Sequence, residues 1–412
     1  MNKNKIINDP IYGFIPIKSP LIFALIEHPF LQRMRHIRQL GLAELVYPGA
    51  IHTRFHHALG AMHLMRLALE VIRAKGIDVS DEEMEAAQVA ILLHDVGHGP
   101  FSHALEETLL PHIRHESLSF LLMKELNSQF NGSLDLAIRI FQNTHGKKFL
   151  HQLVSSQLDI DRLDYLNRDS FFTGVREGAI GTDRIIAMLN VVRGQLVVEE
   201  KGIYNIESFL NSRRLMYWQV YLHKTAVSAE RLLVNCIRRA QYLAVSGEPV
   251  PCSEALQIFL HHPHALDDFA ENKNLLEAFG KLDDFDVWGA VKQWQTNRDP
   301  VLAMLCIMLL NRKLFRIKLS AALVQKSEVE KVKNAIVKEW KLAKKDANYL
   351  FSHGTVSNEA YLAERNSIQV LMKSGDLLDV AQASDLPYIK AMSKIVKKNY
   401  LCWPKNLSLH LH

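Results

Sequence analysis

Cysteine is scarce in this chain. Only four occur in 412 residues, Cys236, Cys252, Cys306 and Cys402, and no two stand at the short spacing of a zinc knuckle. That usage excludes a disulfide-stapled scaffold and fits a reducing, cytoplasmic setting. Long apolar runs are also missing. The longest covers residues 301–310, too short to cross a bilayer and better suited to a buried helix, so no membrane partner is expected. The opening MNKNKIINDP lacks the apolar centre of a secretory signal. Nor is one sign of charge in excess: 49 Lys and Arg face 44 Asp and Glu, a formal +5. This balance permits an anionic ligand without demanding nucleic acid. No repeat and no low-complexity tract appears.

Histidine is what the chain has in plenty. There are 20, crowded between His52 and His115. The remaining composition, 48% hydrophobic and 23% charged, is that of an ordinary globular protein. The length allows two domains, or one large core with an appended lobe.

Helical spacing dominates from Pro20, so the fold class is expected to be mainly α. Before it, residues 5–17 mix β-branched residues with Asp9-Pro10 and Gly13, and read as short extended pieces joined by turns. The best-marked helix follows Ser80, which forms a capping box with Glu83. It must stop soon after Asp95, because Gly97, Gly99 and Pro100 break it. QLVVEEKGIYNI, residues 195–206, is expected to be a hairpin turning at Lys201-Gly202. Helical spacing resumes from Glu207 to about Leu243. GEPVP, residues 247–251, reads as a linker between a front domain, 1–246, and a C-terminal lobe, 252–412. That lobe is expected to be mostly helical until about Ser357 and mixed α/β over residues 368–403.

Four stretches set metal-ligand residues beside phosphate-binding ones: HTRFHHALG (52–60), HDVGHGPFSH (94–103), RHES (114–117) and LDIDRLDYLNRD (158–169). Adjacent helical side chains point about 100° apart. His94 and Asp95 therefore share an ion only if it sits against the flank of a helix end. His57 and Asp161, from other helices, complete a set of two imidazoles and two carboxylates. Such a mixed N/O set leaves positions open for water and a phosphate oxygen. It suits one divalent Mn, Fe, Ni, Zn or Mg rather than closed structural zinc. Blander readings stand beside each piece. An isolated His-Asp pair is more often a surface pair. Arg54 next to Phe55 can simply snorkel. Asp159, Asp161 and Asp164 can form one solvated face, although Asp161 and Asp164 share a helix side with Tyr165 and Arg168 nearby. His28, His36, His63, His112, His145 and His151 are assigned to packing or surface.

Together these stretches resemble the HD-domain deoxynucleoside triphosphate triphosphohydrolases, a dGTPase-like family in which some members join the HD core to a SAM domain. KIINDPIYGFI (5–15), FLQRMRHIRQLG (30–41), YPGAIHTRFHHALG (47–60) and YLHK (221–224) follow the same pattern in the same order. The likeness runs from about Lys5 to Leu243 and returns at NRKLFR (311–316). It implies an HD-type helical core with short β hairpins. It also implies that His57, His94, Asp95 and Asp161 hold the metal, and that His98, His103 and His115 line the α-phosphate and the attacked bond. Arg54, Arg162, Arg213 and Lys224 match, or sit near, phosphate-clamping positions. The family usually has Lys where Arg162 stands, so a point charge becomes a planar fork. Gln39, Leu40, Tyr165 and Asp169 match residues around the sugar. Tyr165 would exclude a 2′-hydroxyl, and Asp169 or Gln39 would accept from the 3′-hydroxyl.

The implied reaction is attack of water on the α-phosphorus, releasing deoxynucleoside and inorganic triphosphate. His115 is the candidate general acid, with Glu116 or His103 tuning it. Two other readings remain open. One is a phosphohydrolase of nucleoside monophosphates or of a cyclic or signalling nucleotide. The other is a non-catalytic regulator binding nucleotide or nucleic acid, for which KLAKKDANY (341–349) offers a basic run. The family also implies a homo-oligomer, dimer or tetramer, and an activating nucleotide at a subunit interface. Lys5, Ile6, Asn8, Gln32, Arg35, Arg184, Arg312 and Arg316 keep parts of that pattern. Glu27 stands where a guanine-reading aspartate would be expected.

Overall fold

Asp9 ties the start of the chain together. Strands β1 (Lys5–Asp9) and β2 (Gly13–Ile17) pair antiparallel, and Asp9 Oδ1 accepts from the N–H groups of Ile11 (2.9 Å) and Tyr12 (3.0 Å) in the turn between them. The computed structural model describes residues 5–358, 367–386, 395–407 and 409. Over these the chain is mainly α with short β pieces, as the sequence indicated.

Three helices build the scaffold of the site. Arg54–Ala74 packs against Asp81–Leu93 on one side and Ile160–Thr173 on the other. Gly60 makes the second contact possible, since a Cβ there would lie 2.1 Å from both Arg168 and Asp164. The capping box forms as read: Ser80 Oγ accepts from Glu83 N–H (3.1 Å) and Glu83 Oε2 from Ser80 N–H (2.9 Å). The helix ends at Leu93, and His94 to Gly97 turn away from it. Gly97 is required there, because a Cβ would meet the backbone of the Ser119 turn at 2.2 Å. Ser119 Oγ accepts from Gly97 N–H (2.9 Å) and donates to His94 O (2.6 Å), fixing the turn.

The hairpin lies earlier than its sequence reading. Strands β3 (Leu189–Val192) and β4 (Gln195–Glu199) pair antiparallel and turn at Arg193 (φ 52°) and Gly194 (φ 74°). Two successive positive φ values are the mark of a tight hairpin turn. Residues 200–202 form a 3-10 turn into the helix Ile203–Met216, not a second strand. The buried residues Ile203, Ile206 and Leu210 have helical spacing, which the apolar alternation upstream masked. A π turn, Tyr217–Tyr221, then precedes the long helix Lys224–Val245.

Beyond the coil at 247–251 come helices over residues 254–310, interrupted afterwards by strands. β5 (Arg316–Ser320), β6 (Ser352–Ser357) and β9 (Lys397–Trp403) form an antiparallel sheet in the order β5-β9-β6. β7 (Gln369–Leu371) joins β4 in parallel and carries β8 (Leu377–Asp379) at the edge. Residues 359–366 and 387–394, which fall within the expected C-terminal lobe, lie outside the described residues. Packing is continuous across 247–251: one apolar core includes Ile91 and Leu122 from the front and Phe279 and Trp294 from the rear. Arg33, 5% exposed, clasps the two parts, donating to Leu282 O (2.8 Å), Val96 O (2.6 Å) and His98 O (3.0 Å).

Candidate active site

His57, His94, Asp95 and Asp161 meet where the three scaffold helices converge. His57 comes from the first full turn of Arg54–Ala74, Asp161 from the first turn of Ile160–Thr173, and His94-Asp95 from the end of Asp81–Leu93. The donor atoms of His57, His94 and Asp161 all lie within 4.8 Å of one another. Asp95 joins them, its Oδ1 3.4 Å from His94 Nε2 and its Oδ2 3.8 Å from His57 Nε2.

These residues fit a divalent cation. His57 Nδ1 donates to Asp164 Oδ2 (2.7 Å), and His94 Nδ1 donates to Ile91 O (2.6 Å). Both Nε2 atoms are thereby turned into the cluster, where they are buried without a hydrogen-bond partner. Burial opposes charge on His57, yet Asp161 and Asp164 raise its pKa to about 10. Asp161 is held low despite its burial, chiefly by His57 and His94. The pocket thus has an excess of carboxylate that calls for positive charge. Behind it, Asp164 accepts from Arg168 Nε and a terminal nitrogen (both 2.9 Å), and Arg168 donates to Asp9 Oδ2 (2.8 Å). Asp164 belongs to this support and not to a solvated acidic face.

The other histidines stand beside the cluster. His98 Nε2 lies 3.4 Å from Asp95 Oδ1, and burial and Arg54 push its pKa well down. Its ring stacks on His115 at 3.7 Å, with His103 edge-on at 4.9 Å. Glu106 organises this group. Its Oε1 accepts from His115 N–H (3.0 Å) and Nδ1 (3.2 Å), and its Oε2 from His103 Nδ1 (3.0 Å). Burial opposes its ionisation, but both imidazoles hold its pKa far below the usual range. Glu116, named from sequence as a partner of His115, sits 3.7 Å from that ring and is largely exposed, so Glu106 takes the role. Glu106 follows His103 by three positions on one helix, a spacing legible in HALEE but not used.

A cavity of about 450 Å³ opens on these groups. Gln39, Leu40, Arg54, Arg162, Tyr165 and Asp169 line it, as do His98, His103, His115 and Glu116. Arg54 is not merely snorkelling: it is buried, pairs with Asp95, and donates through Nε to Ser102 Oγ (2.7 Å). Ser102 and Phe101 both have φ near +50°, a strained turn of the kind that gathers at functional sites. Arg162 pairs with buried Asp159. Gln39 Oε1 is buried with no hydrogen-bond partner among the described residues, whereas Asp169 already accepts from His52 Nε2 (2.7 Å) and Tyr221 hydroxyl (2.8 Å). Two expected clamps fall outside the cavity wall. Arg213 is buried in its helix and donates to Gln157 Oε1 (2.9 Å), and Lys224 is exposed at the start of the next helix. Glu230 and Arg231, which local spacing did not single out, line the cavity.

The residues matched to a regulatory site are scattered over the surface of the single chain. Lys5 lies over the Phe23 ring (5.0 Å), Arg35 over Phe55 (3.7 Å), and Gln32 accepts from Arg35 Nε (2.8 Å). Asn8, Glu27, Arg184 and Arg316 are exposed. Arg312 is exposed too, but its guanidinium donates twice to Leu45 O (2.9 and 2.8 Å).

Residues 54–169 match the HD domain and residues 180–246 the HD associated region. The fold matches the crystal structure of a phosphohydrolase from Bacteroides thetaiotaomicron with a TM-score of 0.94 and 47% identity, over 98% of this chain and 100% of that one. This chain belongs to the HD-domain phosphohydrolase family. The uncharacterized protein YwfO of Bacillus subtilis is 33% identical over 323 residues, 77% of this chain and 72% of that protein. A deoxynucleoside triphosphate triphosphohydrolase SAMHD1 homolog of Dictyostelium discoideum is 29% identical over 265 residues, 60% of this chain and 51% of its own length. This chain thus aligns with about half of that relative. All four metal-cluster residues of this HD phosphohydrolase lie inside the HD match, and the Glu230–Arg231 wall lies in the HD associated region. No described helix is long and apolar enough to cross a membrane.

Proposed function

We propose that this HD phosphohydrolase cleaves deoxynucleoside triphosphates to deoxynucleoside and inorganic triphosphate, in the cytoplasm. The observation that carries the reading is one cavity lined by Asp95 and Asp161 of the N/O cluster, the Glu106-held histidines, two arginines, and Gln39, Tyr165 and Asp169. The name of the Dictyostelium relative supports the substrate class.

Bound at the cluster, a divalent cation would act as Lewis acid toward the phosphate oxygens and the attacking water. Arg54 and Arg162 meet the triphosphate, which carries about four negative charges. Water oxygen bonds to the α-phosphorus, and the P–O5′ bond breaks with its electron pair going to O5′. His115 gives O5′ its proton, and the proton lost by the water passes to solvent. Glu106 takes the Nδ1–H of His115, which leaves Nε2 for the leaving oxygen. Gln39 Oε1 accepts from the 3′-hydroxyl in place of Asp169, whose oxygens already have donors. Tyr165 excludes a 2′-hydroxyl by contact.

The deciding experiment separates products after incubation with Mn²⁺ or Mg²⁺ and each dNTP, nucleoside monophosphate and cyclic nucleotide. Inorganic triphosphate should appear from dNTPs only, with dGTP cleaved far faster than GTP and Tyr165→Ala narrowing that ratio. Release of phosphate or pyrophosphate instead would overturn the reading. A homo-oligomer with an activating nucleotide belongs to the same proposal. It requires a rate that is sigmoidal in one dNTP or is raised by a second nucleotide that is not itself consumed. Hyperbolic kinetics for every dNTP and every pair, at constant oligomer size, would remove it.

A further inference from the structure

One wall of the cavity has no role in the scheme above. It is formed by a single stretch, the π turn and the start of the helix Lys224–Val245, and includes Tyr217, Val220, Leu222, Ala226 and Glu230. Ala226 and Glu230 are four positions apart and share one helix face, so the small side chain leaves room beside the carboxylate. Glu230 is half-buried and, among the described residues, makes no hydrogen bond and no ion pair. Arg231, the next residue, does not close on it and lies 5.6 Å over the Tyr400 ring. Burial pushes the Glu230 carboxyl up to about 7, and Arg231 only partly opposes this.

A half-buried carboxylate that faces a cavity without a protein donor is free to accept from a ligand N–H. That ligand group cannot be the triphosphate, which would be repelled by like charge. The triphosphate is instead drawn to the metal cluster, Arg54 and Arg162. The sugar hydroxyl has Gln39. The part of a nucleotide that remains is the uncharged base.

We propose that Glu230 reads the base, accepting from the ring N–H of a lactam base, with guanine preferred. The proposal rests on the dNTP reading. Guanine offers two adjacent donors, N1–H and the 2-amino group, to the two carboxylate oxygens. Thymine offers one, N3–H. Adenine and cytosine present a lone pair at the matching ring nitrogen and so face the carboxylate with an acceptor. The order is therefore dGTP, then dTTP, then dATP and dCTP. A good bidentate contact to a base edge discriminates by roughly 10- to 100-fold.

The test compares the unaltered protein, Glu230→Gln and Glu230→Ala. It measures kcat/KM for the four dNTPs in competition, and calorimetric Kd values for dGMP and dAMP. A glutamine offers one donor and one acceptor and no longer opposes adenine. The dGTP to dATP ratio should fall from roughly 10–100 to within about threefold of unity, with dATP turnover kept. A flat base profile in the unaltered protein, or an equal loss on all four substrates in Glu230→Gln, overturns the assignment. Failure to release triphosphate from any dNTP overturns the dNTP reading separately. In that case the dGMP and dAMP affinities decide Glu230: a guanine preference abolished by Glu230→Gln upholds it, and no preference overturns it.

Discussion

Asp95 touches almost every working part of the site. It lies within 4 Å of His57, His94, His98 and Arg54. Removing it would take away a proposed metal ligand and free Arg54 at once. Asp95→Ala should therefore lose bound metal and lower turnover by at least about a thousandfold. Elemental analysis and far-UV circular dichroism would check this, the second to show an intact helical fold. Full metal content with full turnover would sink the ligand assignment. Glu106 acts one step further out, through the two imidazoles it holds. Glu106→Gln keeps an acceptor but loses the charge. Turnover should fall about 10- to 100-fold with little change in KM, because only the proton donor is misaligned. A rise in KM with unchanged kcat would instead place Glu106 in ground-state binding.

At the scale of elements, the active-site turn is held from behind by the C-terminal helices. Arg33 donates to carbonyls on both sides, and Asp284 accepts from the N–H groups of Phe101 (2.7 Å) and Arg38 (2.9 Å). Burial lowers the Arg33 pKa to about 10, so it stays charged at neutral pH. Arg33→Ala would leave several buried carbonyls without donors. A loss of about 2–4 kcal/mol is expected in urea unfolding, with metal content preserved in the folded fraction. A second clamp joins the helices Lys224–Val245 and Pro300–Leu310. Arg239 donates to Asp299 through two nitrogens (3.0 and 2.5 Å) and to Asp346 (2.7 Å). Burial opposes the charge on Asp299, but Arg239 and the Leu302 N–H hold its pKa below the usual value. Its contribution to stability is thus full above the ordinary Asp pKa near 3.9 and is lost as pH falls through the lower folded value. Asp299→Asn should be less stable at pH 7, by thermal melting, and should show a shallower loss of stability below pH 4. Equal acid sensitivity in both proteins would show that the clamp does not carry this dependence.

For the whole molecule, a divalent cation at the proposed site would link folding to activity. The four candidate donors come from two helices and the turn that follows a third, so only the folded state presents them together. A cation at a hundred times its Kd adds about 2.7 kcal/mol to stability. Treatment with a chelator should lower the Tm by a few degrees, and Mn²⁺ should restore it. An identical Tm with and without metal would mean that no folded-state site binds it. Asp95→Ala should melt at the same temperature in either condition.

The sequence by itself determined the ingredients and the class. HDVGHGPFSH, HTRFHHALG and LDIDRLDYLNRD carried the metal set because their spacing within each helix is local and helix geometry is fixed. The capping box at Ser80 and the break at Gly97 placed His94 and Asp95 at a helix end for the same reason. Glu106 was within reach of that reasoning, three residues after His103. Tertiary structure alone decided what depends on long-range approach. The hairpin could not be placed from apolar alternation, because strand and buried helix share short apolar runs and only pairing separates them. Arg33 with Leu282, Asp284 with Phe101, and β4 with β7 join segments that no local pattern connects. Likewise Arg213 and Lys224 bear the right charge but are not among the residues lining the cavity, while Glu230 and Arg231 line it. Which side of a helix meets a cavity is set by packing against distant elements, and no local spacing in the chain records it.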